Sequence, residues 1–214
     1  SCWEYFNRKY NVPFKSLTEE SIPYESTTEL ISRIKESGLD LVLNPLATDI
    51  DIPVFRCLLL NSYDHAGGIS LGFGCHHNPE VAINRAITEA AQARVVHISG
   101  ARDDIVVNSI IKSSNLDVEE YKSNFIPQNH QAFKVDFQNA QQAIDAIIDK
   151  FNDLEFFEPL IYEFENTDPF SVVRVIGPSL APSGARKGLP TSNHPRIHQF
   201  KPKLDSLSQL FISS

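Results

Sequence analysis

The sequence predicts an α/β domain in which a mixed sheet is flanked by helices, and three observations carry that prediction. Residues 39–43 and 52–60 are short, almost continuously apolar runs, as strands covered on both faces tend to be. The segment from Asn78 to Gly100 has the punctuation of one long helix. Residues 137–151 form a second, amphipathic helix, with Ala140, Ala143, Ile144, Ile147 and Ile148 gathered on one side.

Taken in order, residues 2–10 read as one to three helical turns, followed by a loop containing Pro13 and Pro23. Thr27 or Thr28 is placed to cap a helix whose Leu30, Ile31 and Ile34 share a face and which Gly38 ends. The two apolar strands are separated by a turn region from Asn44-Pro45 to Thr48-Asp49, and a polar turn at 61–68 leads to a third strand at 68–74. Asn78 suits the N-cap of the long helix, Pro79 its first position, and Glu80 its positive end. A short helix is expected around 118–122, and further strands at 160–164 and 171–176. A Pro/Gly/Ser-rich tail begins at Gly177, so the chain is read as one domain over 1–214 with its core in 1–176.

Composition narrows the function. Hydrophobic residues make up 42% and charged residues 21%, enough apolar surface for a folded core. A net charge of -8 argues against a nucleic-acid binder, which needs a basic surface. It does not oppose ATP, which arrives with magnesium held partly by carboxylates. Cys2, Cys57 and Cys75 make no even framework and no CxxC pair, so free thiols in a reducing, cytoplasmic setting are expected. No apolar run reaches the ~18–20 residues of a membrane span. The opening Ser-Cys-Trp-Glu, without initiator Met or signal-like segment, is what a cut inside a longer protein would leave.

The chemistry-bearing residues cluster on the long helix. Arg85, Glu89 and Gln92 stand at i, i+4 and i+7, one narrow polar stripe, while Ile83, Ile87 and Ala90 take the opposite side. Arg suits phosphate, Glu a metal or its water, and Gln a ribose, phosphate or neighbouring carboxylate. Arg94 falls on the Ile87/Ala90 side. A solvated face with an Arg–Glu pair would show the same spacing, which leaves both readings open. Glu4, Asn7 and Arg8 repeat the pattern at i, i+3 and i+4, where a surface ion pair is the alternative. Cys75-His76-His77 could contribute to a metal site or a Cys–His nucleophile, although neighbours in sequence point apart and no second cluster has zinc spacing. Gly67-Gly68 and Gly72-x-Gly74 match a phosphate loop only loosely, lacking GxGxxG and GxxxxGK[ST].

Residues 68–104, GISLGFGCHHNPEVAINRAITEAAQARVVHISGARDD, resemble the YcaO family. The matching pattern is a Gly-rich strand with G-x-G-x-H, a helix of form A-x-x-R-A-x-x-E-A-x-Q-x-R, and G-x-R-D-D. It falls on Gly72, Gly74, His76, Ala82, Arg85, Ala86, Glu89, Ala90, Gln92, Arg94, Gly100, Arg102, Asp103 and Asp104. Glu4-x-x-Asn7-Arg8 is similar to the family's E-x-x-E-R element, with Asn7 where the pattern has a second Glu. The resemblance implies a YcaO-like α/β fold, here an incomplete, C-terminal part of the domain. It also implies ATP and Mg2+ as cofactors, with Glu4 and Glu89 on the magnesium side, Arg8 and Arg85 at phosphate, and Gln92 and Arg94 in the nucleotide site. The implied reaction is attack of a peptide carbonyl oxygen on the γ-phosphate, leading to an azoline or a thioamide. The HHNPE and SGARDD segments resemble the TfuA-associated, thioamide-forming branch, and residues 194–203 lack the PxPxP ending of azoline-forming members. A peptide or protein substrate, a TfuA-type partner and a homodimer follow from the same resemblance. Three alternatives stand beside it: a catalytically incomplete scaffold, an azoline-forming cyclodehydratase, and an unrelated metal-dependent hydrolase using Cys75, His76 and Asp103.

Overall fold

A computed structural model describes residues 13–46, 50, 52–61, 69–99, 122–131, 137, 139–165 and 169–180. It is a mixed α/β structure with flanking helices, and its described residues fall into two compact units, one within Pro13–Asp136 and one from Phe137 onward. The expected helix at 2–10 and most of that at 118–122 lie outside the described residues.

The first unit is built on three antiparallel strands in the order β2-β3-β4: β2 Asp40–Leu46, β3 Val54–Leu60 and β4 Ile69–Cys75. Direct pairing places Leu41 opposite Leu59, Leu43 opposite Cys57, and Cys57 opposite Gly72, so these residues share one face. That face is covered by two helices, α1 Glu25–Glu36 and α2 Pro79–Ser99. Leu41, Leu43, Phe55, Cys57 and Leu59 pack there with Ile31 and with Ala82, Ile83, Ala86, Ile87 and Ala90. On the other face Val42, Leu58 and Leu60 pack with Ile69 and Phe125. Burial on both faces explains why β2 and β3 read as continuous apolar runs.

Several boundaries differ from expectation for identifiable reasons. Asn44 and Pro45, read as a turn, lie inside β2. Pro45 is tolerated because β2 is an edge strand, where a missing N–H need not break the ladder. Asn44 is buried because its Oδ1 accepts from Arg56 Nε and Nη2 at 3.0 and 2.8 Å, while its Nδ2 donates to the Lys15 carbonyl at 2.7 Å. Arg56 also stacks on Phe14, its guanidinium carbon 3.9 Å from the ring centroid. This polar bridge joins the sheet to β1 Lys15–Leu17, which pairs in parallel with β5 Ile126–Gln128; the sequence reading had neither strand.

α1 begins at Glu25 with Tyr24 at the N-cap and no side-chain cap, not at Thr27 or Thr28. Thr27 is buried instead, donating to Asn84 Oδ1 at 2.7 Å. Asn84 Nδ2 donates to Ser26 Oγ, which donates to Glu80 Oε1, a chain of bonds tying α1 to α2. Gly38 follows α1 with φ +79°, the left-handed stop expected of it.

The second unit carries α3 Ala140–Asp153 and an antiparallel pair, β6 Leu160–Glu163 and β7 Val173–Ile176. Asn139 caps α3 by accepting from Gln142 N–H at 2.9 Å. Of the apolar face expected on this helix, Ala143 is buried, but Ile144 and Ile148 remain exposed, and Phe151 supplies the second buried residue. Every residue of β6 and β7 is exposed.

Candidate functional site

The site is prepared by an unusually close approach of α2 to β4. Ser70, Gly72 and Gly74 are buried on the face toward the helix. A Cβ on Gly72 would lie 2.2 Å from Ala86 O and 2.3 Å from Ala90 N, and one on Gly74 would lie 1.8 Å from Ala82 O. Ala82, Ala86 and Ala90 recur every four residues, so main chain meets main chain along a seam of the smallest side chains. The Gly72-x-Gly74 pair, read loosely as a phosphate loop, therefore serves helix–strand contact. Asn78 starts the helix as expected, its Oδ1 accepting from Glu80 N–H at 2.9 Å and Val81 N–H at 3.4 Å.

With the seam fixed, the polar stripe of α2 projects over the edge of β4. The His76 N–H donates to Pro53 O, one step past the β3–β4 ladder. Even-numbered residues thus turn their main chain toward β3, and Leu71, Phe73 and Cys75 turn theirs outward. Glu89 Oε2 accepts from the Phe73 N–H at 3.1 Å, and Arg85 Nη1 donates to the Cys75 carbonyl at 3.2 Å. Glu89 Oε1 and the other Arg85 nitrogens make no hydrogen bond among the described residues. Gln92 is exposed one turn farther along. Arg94 is half-buried away from this stripe, and its Nη1 is enclosed with no hydrogen-bond partner among the described residues, as is Ser70 Oγ. By helical spacing Arg94 stands on a different side of α2 from the other three.

At the strand end, His76 Nδ1 accepts from the Asn78 N–H at 3.0 Å, and the His76 and His77 rings lie 4.0 Å apart. Burial, His77 and the Arg85 charge hold the His76 pKa below its usual value, against the pull of the Asn78 bond. Burial pushes the Cys75 thiol up, with Arg85 opposing. A nucleophilic cysteine needs the reverse. No group of three metal-ligating side chains occurs among the described residues, and Asp103 lies outside them.

Glu4, Asn7 and Arg8 also lie outside the described residues, as do Arg102, Asp103 and Asp104. What the structure brings together is Arg85 and Glu89, with Gln92 beside them. A carboxylate with one free oxygen and a guanidinium with free donors, one turn apart and open to solvent, fit a magnesium-bound phosphate. Mg2+ keeps several waters and takes one or two carboxylates, and Arg binds phosphate by paired donors. The signal missed in the sequence is the pairing of both side chains with strand main chain. A helix polar stripe following a G-x-G strand by a short turn is where it could have been sought.

The stripe lies on a mixed α/β arrangement in which helices flank the sheet. Residues 3–181 match the YcaO family, described as YcaO cyclodehydratase, ATP- and Mg2+-binding, and the chain belongs to that family. It is 31% identical over 171 residues to an uncharacterized protein encoded in the tfuA 3′ region of Rhizobium leguminosarum bv. trifolii, covering 71% of this chain and 39% of that protein. It is also 68% identical over 34 residues to an uncharacterized protein of Mycobacterium tuberculosis, 16% of this chain and 8% of that one. Its fold is similar to YcaO from Methanopyrus kandleri, solved with AMPPCP and Mg2+, at a TM-score of 0.60 and 14% identity over 82% of this chain and 48% of that chain. The heterocyclase TruD gives a TM-score of 0.57 at 21% identity over 83% of this chain and 25% of that chain. The chain thus spans less than half the length of these relatives. Among the described residues no helix is long and apolar enough to cross a membrane.

Proposed function

We propose that this chain contributes to an ATP- and Mg2+-dependent activation of a peptide backbone amide, carried out by a longer protein, with Glu4, Arg8, Arg85, Glu89 and Gln92 as the candidate nucleotide-side residues. The observation that carries the reading is the placement of Arg85 and Glu89 side by side on the β4 edge with free donors and a free oxygen. A bound magnesium–ATP would supply the phosphoryl group and neutralise its charge. Glu89 offers an oxygen ligand, Arg85 offers N–H donors to phosphate, and Gln92 is free to bond the nucleotide. An amide oxygen is a poor nucleophile, so catalysis depends on holding it in line and on neutralising the phosphate charge.

The thioamide outcome is favoured by the tfuA-neighbouring relative and by the HHNPE and SGARDD segments. In that outcome the amide oxygen bonds to the γ-phosphorus and ADP leaves. Sulfide then adds at the amide carbon, and phosphate departs with the original oxygen. A TfuA-type partner protein and a homodimer belong to this reading; the resemblance puts Arg94 in the nucleotide site, whereas its half-buried position off the stripe suits a structural role. Asn7, in place of a glutamate, favours a second reading, a scaffold that binds peptide or partner without turnover.

The test is mass spectrometry of candidate peptides incubated with the longer protein, ATP and sulfide. Exchange of oxygen for sulfur marks thioamidation, loss of water marks an azoline, and neither product with any peptide supports the scaffold. Arg85→Ala and Glu89→Ala should each weaken Mg-ATP binding about tenfold or more, since a charged hydrogen bond is worth about 1.5–3 kcal/mol. Unchanged binding in Glu89→Ala removes the assignment.

A further inference from the structure

We infer that the outer edge of β4, which pairs with no other strand among the described residues, positions the two charged side chains, and that Phe73, through its main-chain N–H, is a positioning residue for Glu89; this rests on the functional reading above. Outward-facing main chain at an edge strand is ordinarily left to water. Here the donor at Phe73 takes the acidic side chain and the acceptor at Cys75 takes the basic one. The pairing works because the spacings match. Two strand residues advance roughly 6.6–6.8 Å and four helix residues roughly 6 Å. α2 runs back along β4, so Arg85 meets Cys75 and Glu89 meets Phe73. The Gly72/Gly74 seam holds the helix close enough for both bonds to form.

The consequence for Glu89 is specific. Untethered on an exposed helix face, a glutamate samples many rotamers. The Phe73 N–H engages Oε2 and leaves Oε1 as the oxygen for a metal ion. Rotamer freedom is then given up before the metal arrives. For a glutamate, that freedom corresponds to about a tenfold change in affinity.

Phe73→Pro removes the donor at an outward-facing position, where proline breaks no ladder bond. In the longer protein it should raise the Mg2+ concentration for half-maximal nucleotide binding about tenfold. Phe73→Leu keeps the N–H and should restore the wild-type value. Equal Mg2+ dependence in the proline and leucine variants would overturn the positioning role. A second measurement does not depend on the proline variant folding. Amide exchange at Phe73, followed by 15N labelling of phenylalanine, should accelerate several-fold in Glu89→Ala, with the Phe55 amide of the same sheet unchanged. Unchanged exchange at Phe73 would overturn the positioning role alone, and unchanged Mg2+-nucleotide binding in Glu89→Ala would overturn the site assignment beneath it.

Discussion

Replacing Gly74 by alanine sets a methyl group 1.8 Å from Ala82 O and 2.7 Å from Ala86 N. Both contacts are with helix main chain, so no rotamer change relieves them. Non-bonded heavy atoms rest at roughly 3.5–4.0 Å, so α2 would have to retreat by about 1–2 Å along the seam. That retreat loosens Ala82, Ile83, Ala86 and Ile87, all buried against Phe55, Cys57 and Leu59. Overpacking a core costs about 1–3 kcal/mol and occasionally more; a rigid main-chain clash belongs at the top of that range. About 3 kcal/mol is a large share of the ~5–15 kcal/mol that a domain has. In urea denaturation the midpoint should fall by about 1–2 M with the slope unchanged. Gly38→Ala is the internal comparison. It has open space around it but φ +79°, and should cost only about 1 kcal/mol. If Gly74→Ala destabilises no more than Gly38→Ala, the seam does not fix the helix and the reasoning fails. The retreat should also separate Glu89 from Phe73, so the Mg2+ dependence of nucleotide binding should shift with stability.

Burial pushes the Cys57 thiol up to about 12, and the side chain is inaccessible between β3 and the helices. A thiol reagent at neutral pH should therefore label Cys75 in the folded protein and Cys57 only after unfolding, as peptide mapping would show; native labelling of Cys57 would contradict its burial. Burial also holds the His130 pKa below its ordinary 6.5, where the ring packs edge-on to Tyr24 with its Nε2 3.4 Å from the Tyr24 hydroxyl oxygen. The folded state then binds fewer protons than the unfolded one below about pH 6.5, so this group's contribution is present above that pH and lost as pH falls through the folded pKa. Melting temperature should drop less on acidification in His130→Gln than in the wild type, and an identical pH dependence would remove the effect.

Much of the site's framework was legible because its signals are local. Asn78-Pro79-Glu80 marks the helix start, and the helical periodicity of about 3.6 residues separates Arg85, Glu89 and Gln92 from the buried Ile83, Ile87 and Ala90. The apolar runs of β2 and β3 state their double burial directly. What escaped depends on partners distant in sequence. Asn44 and Pro45 look like a turn until Arg56, the Lys15 carbonyl and the sheet edge are known. Gly72 and Gly74 suggest a loop because nothing in a G-x-G pair announces a helix lying across it. Ile144 and Ile148 have the right spacing for a buried face, yet spacing names only a shared side, not what covers it. Likewise Arg85 and Glu89 could be aligned from sequence, but not their bonds to the main chain of β4.

Those bonds also act on solubility. An edge strand with free N–H and C=O groups is a template on which another chain can add by strand pairing, and charged side chains laid across it are a common defence. Arg85 and Glu89 occupy one outward carbonyl and one outward amide of a strand that carries exposed Leu71. Removing either residue strips a guard from the edge as well as a group from the proposed site. Variants at these positions should be checked for concentration-dependent self-association, because a loss of nucleotide binding in an aggregating sample would report on the sheet and not on the chemistry.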